Sequence, residues 1–295
     1  MTCEDGINEL TTDDSEKRGT KKVKPVVLKE GENIEINSRK FKLCGAMMGN
    51  YGFVEIVEES KVPFYLHYES TINCKKKKLK VTCLIHVLAA AANRAHIFRL
   101  IQRGTDTILH IRYFVTDAYG PTLSDLQARR AYQKFTVGTA TRLAIETLNA
   151  IEDLHTIGYV HRDIRPTSFV IGRGAFETHI YLINFGCVRR FRTKEAKIIP
   201  PRSYAPFISS IRYASRACHD RSDCARKDDL ESWLYMSVEF YQINILSWRM
   251  MTNLAEIRKE KDAFMSERGV TSIPIHYLQS LYTEPNNCEG STLKS

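Results

Sequence analysis

Two short motifs in the second half of the chain carry residue types that can do chemistry. His161–Asp163 (HRD) follows an amphipathic segment, and Asn184–Gly186 (NFG) follows the apolar run IYLI. The carboxylate of Asp163 stands 21 positions before the amide of Asn184. A loop carboxylate can accept a proton in acid–base chemistry, and it can equally hydrogen-bond its own loop backbone. Tripeptides occur by chance, so the flanking elements decide what these motifs mean.

The elements that must position these motifs can be predicted from hydrophobic periodicity. FKLCGAMMGNYGFVEIVEE, VPFYLHYES and ILHIRYFVTD are typical of β-strands, whereas LKVTCLIHVLAAAA and TATRLAIETLNAIEDLHTIG have helical spacing. Gly158 stands at the C-cap of the second helix. Two short strands, TSFVIG and IYLINFG, are predicted next, and then a buried helix at 228–245. Four residues of the second helix are predicted to share its buried face: Leu143, Leu148, Ile151 and Leu154.

Composition excludes several classes of protein. The 295 residues are 43% hydrophobic and 26% charged, as in a globular chain, and no apolar run approaches the length of a membrane span. The first residues lack a secretory signal, which predicts an intracellular protein of the cytoplasm, the nucleus or both. The eight cysteines form no CxxC pair and are predicted to pack as small apolar residues. The net charge of +9 is spread over several clusters, so we expect neither a nucleic acid nor a membrane as partner.

Three longer segments carry a family resemblance. GYVHRDIRPTSFVIG, SSIRYASRACH and RKDDLESWLYMSVEF resemble eukaryotic protein kinases, most closely the casein kinase I superfamily and its tau-tubulin-kinase-like branch. The resemblance extends from about Lys40 to about Pro285. It implies an α+β fold with a small β-rich N-lobe, a larger helical C-lobe and a nucleotide cleft between them.

The resemblance and the composition together predict the domain boundaries. Residues 1–32 contain many charged residues and no aromatic residue, and we expect a disordered tail there. The kinase-like domain is predicted at 33–285, with the N-lobe at 33–116 and the C-lobe at 120–285, followed by a flexible tail at 286–295.

The resemblance implies a role for each residue that matches a family motif. In an active kinase the residue at Asp163 accepts the proton of the substrate hydroxyl, and Arg165 takes the position of a lysine that contacts the transferred phosphate. His161 and Phe185 match residues of a hydrophobic spine, and Asp229 matches a buried aspartate that ties a long helix to the HRD loop. The implied nucleotide-binding positions are Gly49, Gly52, Val54, His67, Thr116, Asp117, Tyr119 and Asn184.

Several of these positions depart from the family pattern. Met47 replaces the first glycine of the phosphate loop, His67 replaces the phosphate-binding lysine, and Thr82 replaces the glutamate that pairs with that lysine. Asn184 and Ser168 replace the two residues that hold Mg²⁺, so no metal site is predicted. The glycine loop could then cradle phosphates or be a simple β-hairpin. We expect ATP to bind weakly, if it binds at all, and Mg²⁺ to contribute little.

Two functions follow from this pattern. The first is a pseudokinase, a kinase-fold binding or regulatory protein with little or no phosphotransfer. The alternative is a serine/threonine kinase with residual ATP-dependent activity, because Asp163, Arg165 and two loop glycines remain. We also predict that, if ATP binds, its affinity rises as the pH falls from about 7.5 to about 6, because His67 would become cationic near its ordinary pKa of about 6.5 and could then contact phosphate.

A basic stretch follows the NFG motif. Arginine side chains suit carboxylate and phosphate oxygens, and in the resembled family this region helps to recognise acidic or phosphorylated segments. We expect a monomer that binds such a protein segment here, although a solvated basic loop would look the same. The stretch, called the basic segment below, comprises Arg189, Arg190, Arg192, Lys194, Lys197 and Arg202.

Overall fold

A computed structural model describes residues 27–48, 51–58, 60–72 and 78–266 of the chain. The strands are Val27–Leu28 (β1), Asn33–Ile36 (β2), Arg39–Leu43 (β3), Met47–Met48 (β4), Tyr51–Glu58 (β5), Pro63–Ser70 (β6), Leu100–Asp106 (β7), Ile111–Asp117 (β8), Tyr159–Val160 (β9), Phe169–Ile171 (β10), Ile180–Leu182 (β11) and Arg189–Arg190 (β12). The helices are Lys78–Ala91 (α1), Leu123–Ala128 (α2), Val137–Thr156 (α3), Arg216–His219 (α4), Arg226–Tyr241 (α5) and Leu254–Met265 (α6). The predicted α+β class with a β-rich first lobe and a helical second lobe is confirmed.

The first lobe is built on an antiparallel sheet of six strands in the order β2-β3-β5-β6-β8-β7. Alternation along the strands sends one set of side chains, including Phe41, Val54 and Leu66, into a core on one face. The opposite face carries Tyr65, His67 and the strand-paired residues of β8, and it looks towards α1 and the second lobe.

The second lobe is organised around α3 and α5, which pack against each other. The hydroxyl of Thr136 accepts a hydrogen bond from the N–H of Thr139 and begins α3, and Gly158 follows its end with a φ of +91°. Leu143, Ile151 and Leu154 are buried as predicted. Leu148 is 36% exposed, because the buried stripe of α3 runs through Ala144 and Thr147 instead.

Two further predictions about the elements need correction. The helix predicted at 228–245 ends at Tyr241. The tail predicted at 1–32 overlaps the described residues at 27–32, where β1 pairs with β4 and Leu28 packs against the core of the first lobe. The rest of that tail and the tail at 286–295 lie outside the described residues. None of the described helices combines the length and the hydrophobicity that crossing a membrane requires.

Candidate functional site

The HRD loop is hydrogen-bonded to one carboxylate of α5, that of Asp229. Asp229 is 1% exposed, and its two carboxylate oxygens accept hydrogen bonds from the backbone N–H groups of His161 (2.7 Å) and Arg162 (2.8 Å). The His155 ring nitrogen lies 2.8 Å from the same carboxylate. Arg162 has a φ of +69°, a left-handed conformation that costs energy for a residue with a Cβ. Asp229 therefore stabilises a strained loop.

The carboxylate of Asp163 is engaged by its own surroundings. One oxygen accepts from the Ser210 N–H (3.2 Å) and lies 3.4 Å from the Ser209 hydroxyl, and the other lies 3.2 Å from Nε of Arg165. The structure thus brings together the carboxylate of Asp163 and the positive charge of Arg165, which the sequence predicted at this site. The same contacts are equally those of an aspartate that only stabilises its own loop.

The two positions that match magnesium ligands use their polar atoms within the loops. Ser168 is fully buried, and its hydroxyl donates to the carbonyl oxygen of Asp163 (2.8 Å). Asn184 is exposed in a left-handed turn, and its amide nitrogen donates to the carbonyl of Thr167 (3.0 Å). Within the described residues, no group of three or more His, Cys, Asp or Glu side chains could hold a metal ion. The residues at these two positions offer no carboxylate to a bound Mg²⁺.

His67 lies between aromatic rings. Its imidazole stacks on Phe114 (4.5 Å between centroids), lies 5.8 Å from Phe53, and places Nε2 at 3.4 Å from the Thr116 hydroxyl. Burial, helped by the neighbouring His86, lowers the pKa of His67 to about 3. The expectation that His67 becomes cationic near pH 6 is therefore wrong, and the ring is a neutral packing group at physiological pH.

α1 presents a histidine towards the centre of the molecule. The ring of His86 contacts Phe114 (5.2 Å) and Phe185 (5.7 Å), and its Nδ1 is 2.7 Å from the carbonyl oxygen of Phe98. Phe185 in turn lies 5.9 Å from the ring of His161. Thr82 lies one helical turn before His86, on the same side of α1. Thr82 thus lies on the side of α1 that carries His86, and the rings of His86 and His67 both contact Phe114.

Aromatic side chains of both lobes pack together at the hinge. The rings of Tyr65 and Tyr119 lie 4.4 Å apart, and Phe98 stacks between Tyr119 (5.2 Å) and Tyr181 (3.9 Å). Val170, packed with these rings, is 0% exposed, and Thr116 is 1% exposed. Asp117 ends β8 beside them. We call this packing the cleft cluster; it comprises Tyr65, Phe98, Tyr119, Val170, Tyr181 and Ile183.

A polar contact lies beside the cleft cluster. The guanidinium of Arg173, in the second lobe, donates to the carboxylate of Glu55 on β5 (2.9 Å) and sits over the ring of Tyr65 (5.9 Å). Both contacts join the two lobes across the cleft. Sequence reasoning missed Tyr65, although its position two residues before His67 on the same face of a strand was available as a signal.

Of the glycine-loop residues expected in the cleft, Val54 faces away from it and Gly52 packs within the sheet. Gly49 lies outside the described residues. A Cβ on Gly52 would lie 2.9 Å from the hydroxyl of Tyr68, so packing within the sheet already explains a glycine there. Val54 pairs with Leu66 and faces the core on the other side of the sheet. Because strand neighbours alternate between faces, Phe53 occupies the cleft side in its place.

The basic segment divides into paired and unpaired charges. Arg189 and Arg202 each make an ion pair with Asp223 (2.9 Å), and Arg192 donates to the carbonyl of Thr156. The other three basic side chains make no ion pair with a described residue: Arg190, Lys194 and Lys197. Asp223 was not singled out from the sequence, since it lies 21 residues or more from both arginines.

Comparison with known proteins connects this architecture to protein kinases. The chain is 37% identical over 159 residues to the serine/threonine-protein kinase spe-6 of Caenorhabditis elegans, covering 53% of this chain and 42% of spe-6. It is 32% identical over 209 residues to a protein of Dictyostelium discoideum named as a serine/threonine-protein kinase, covering 70% of this chain and 41% of that protein. A Caenorhabditis elegans protein named as a casein kinase I is 32% identical over 176 residues, covering 59% and 51%.

The chain spans about half the length of the curated relatives it matches. No protein-family model matches it. The relatives support the kinase family and, with the observed element order, a two-lobed kinase-like fold.

Proposed function

We propose that this chain is a pseudokinase: a kinase-fold binding or regulatory protein, similar to the casein kinase I superfamily and its tau-tubulin-kinase-like branch, with little or no phosphotransfer. The observation that carries the proposal is the cleft cluster. Tyr65 packs on Tyr119 in the same cluster as Val170, at the hinge where the family resemblance implies that a nucleotide base would bind. A base can bind there only after these side chains have separated.

The polar parts of the cleft support the same proposal. His67 is uncharged and enclosed by rings, so it offers no positive charge to a phosphate. The hydroxyl of Ser168 is buried in a hydrogen bond, and the amide of Asn184 brings no negative charge for a cation. ATP and Mg²⁺ therefore do not fit this cleft, and Asp163 lacks a positioned phosphoryl donor.

Nucleotide titration of the Tyr65→Ala variant tests the blocked cleft. Moving a half-buried tyrosine out of its aromatic contacts costs about 2 kcal/mol, which corresponds to about thirtyfold in affinity. We expect Tyr65→Ala to bind ATP at least tenfold more tightly than the natural protein, equally with Mg²⁺ or with EDTA. Thermal-shift titration measures both effects, because a ligand of the folded state raises the melting temperature.

Tyr204→Ala is the matched control, since Tyr204 is exposed and lies outside the cleft cluster. It should behave like the natural protein. The alternative, a kinase with residual activity, predicts a strong Mg²⁺-dependent shift in the natural protein. It also predicts phosphate transfer to acidic peptides that is lost in Asp163→Asn, and either result would overturn the proposal.

We further propose that the unpaired part of the basic segment binds an acidic or phosphorylated protein segment. Arg190, Lys194 and Lys197 make no ion pair with a described residue, although the charge of Glu195 lies near Arg190 and Lys194, whereas Asp223 holds Arg189 and Arg202. Changing the first three together to Gln should weaken binding to an immobilised Asp-rich phosphoserine peptide at least tenfold. Binding should fall as salt rises, because exposed charges are screened.

The chain offers a control with the same change of charge. Arg129, Arg130 and Lys134 are exposed and lie outside the basic segment, at and just after the end of α2. Their joint change to Gln should leave peptide binding unchanged, and so should Asp163→Ala. Equal loss of binding in both triple variants would show a nonspecific effect of net charge and contradict a localised surface.

A further inference from the structure

Two cysteines lie together beneath the HRD loop. Cys218, in α4, is 4% exposed, and Cys224, just before α5, is partly exposed. The chain between them doubles back, because the N–H of Ser222 donates to the carbonyl of Ala217 (2.9 Å) and that of Arg221 to the carbonyl of Cys218 (3.2 Å). The two cysteines line the same small cavity, and their thiols interact with each other.

The surroundings of the pair favour a thiolate. The interaction with Cys224 lowers the pKa of Cys218, with help from the N–H groups of Ile208 and Ser209 and against the opposing effect of burial. The charge of Lys261 acts in the same direction. The pair therefore loses its first proton more easily than an ordinary thiol does.

A structural metal does not account for the pair. His219, which follows Cys218 directly, has its Nε2 3.1 Å from Nζ of Lys261. The described residues contain no cluster of three His, Cys, Asp or Glu side chains that could complete a metal site. Two adjacent thiols with one easily lost proton are instead the arrangement that reacts with disulfides.

We propose that Cys218 and Cys224 form a redox-active dithiol that reacts with small disulfides of the glutathione type. The thiolate attacks one sulfur of the small disulfide, forms a mixed disulfide and expels one small thiolate. The second cysteine loses its proton to solvent and attacks the mixed disulfide, which closes the Cys218–Cys224 bond and expels the second small thiolate. Two protein thiols are oxidised, and one small disulfide is reduced to two thiols.

The position of the pair gives this reaction a consequence for the basic segment. The ring closed by the new bond would contain Asp223, the carboxylate that holds Arg189 and Arg202. Oxidation would therefore form a bond next to Asp223, which makes ion pairs with two arginines of the basic segment. The proposal does not depend on whether the protein transfers phosphate.

Disulfide mapping of the full chain tests the proposal. The reduced protein is equilibrated with glutathione at graded ratios of oxidised to reduced form, quenched with acid, alkylated and digested with trypsin. Cleavage after Arg216, Arg221 and Arg226 places the two cysteines on separate peptides, 217–221 and 222–226, so that their bond is detected as a linked pair.

We expect the linked pair at glutathione ratios at least about tenfold more reducing than those that modify Cys44, because closure is intramolecular. Cys44 is the internal control, because its side chain is exposed. Its thiol pKa is raised by partial desolvation and by the nearby Glu55. In Cys224→Ser, Cys218 should retain glutathione instead. The proposal fails if both thiols of the natural protein stay alkylatable at ratios that fully modify Cys44.

Discussion

Replacement of Asp229 by alanine is expected to lower the free energy of unfolding by about 3–5 kcal/mol. The change leaves the N–H groups of His161 and Arg162 without their acceptor in a buried place, and each such group costs about 1–3 kcal/mol. It also removes the contact that holds Arg162 in its left-handed conformation. Urea denaturation followed by far-ultraviolet circular dichroism measures the loss.

Asp220→Ala is the control for this prediction. Asp220 makes a surface ion pair with Arg258, which is expected to contribute at most about 1 kcal/mol. Asp229→Asn, which keeps one acceptor oxygen, should fall between the two. A loss below about 1 kcal/mol for Asp229→Ala would mean that the HRD loop is stabilised by other contacts.

Between pH 7.5 and 5, His67 and His86 are expected to destabilise the protein by about 4 kcal/mol, in addition to the contribution of His219, whose pKa burial and the charges of Lys261 and Arg258 also lower. Burial lowers the pKa of His67 to about 3 and that of His86 to about 4, against about 6.5 in the unfolded chain. Below pH 6.5 the unfolded state therefore binds protons that the folded state does not. Each histidine costs about 1.4 kcal/mol per pH unit, or about 2 kcal/mol at pH 5.

Denaturation midpoints at several pH values measure this dependence. In His67→Phe, whose ring can keep the stack on Phe114, about 2 kcal/mol of the loss between pH 6.5 and 5 should disappear. His110→Asn removes an exposed histidine and should leave the dependence unchanged. An unchanged slope in His67→Phe would contradict the assignment of the effect to His67.

Most of the framework was predictable because its periodicity is strong. The helical spacing of α3, the apolar content of α5 and the strand patterns of β6 and β8 indicated these elements, and the structure has them close to the predicted places. The strands β2 and β7 were missed; they are the two edges of the sheet, and their polar residues, as in LIQRGTD, weaken the signal.

The cleft was less predictable because it depends on register and on contacts between distant segments. Val54 was expected in the cleft, yet a hairpin register is set by its turn, and a shift of one residue sends every side chain to the other face. Tyr65 and Tyr119 are 54 positions apart, so only the closed arrangement of the lobes reveals their contact. The same holds for Asp223 and the arginines that it pairs with.

The cross-cleft contacts of Tyr65 and Arg173 bear on the entropy of recognition. An open cleft lets two lobes rotate against each other, and a partner that touches both must restrict that motion when it binds. Here the contact between the rings of Tyr65 and Tyr119 and the Arg173–Glu55 ion pair already connect the two lobes. A partner that spans both lobes meets a preorganised surface, so more of its contact energy remains available as affinity.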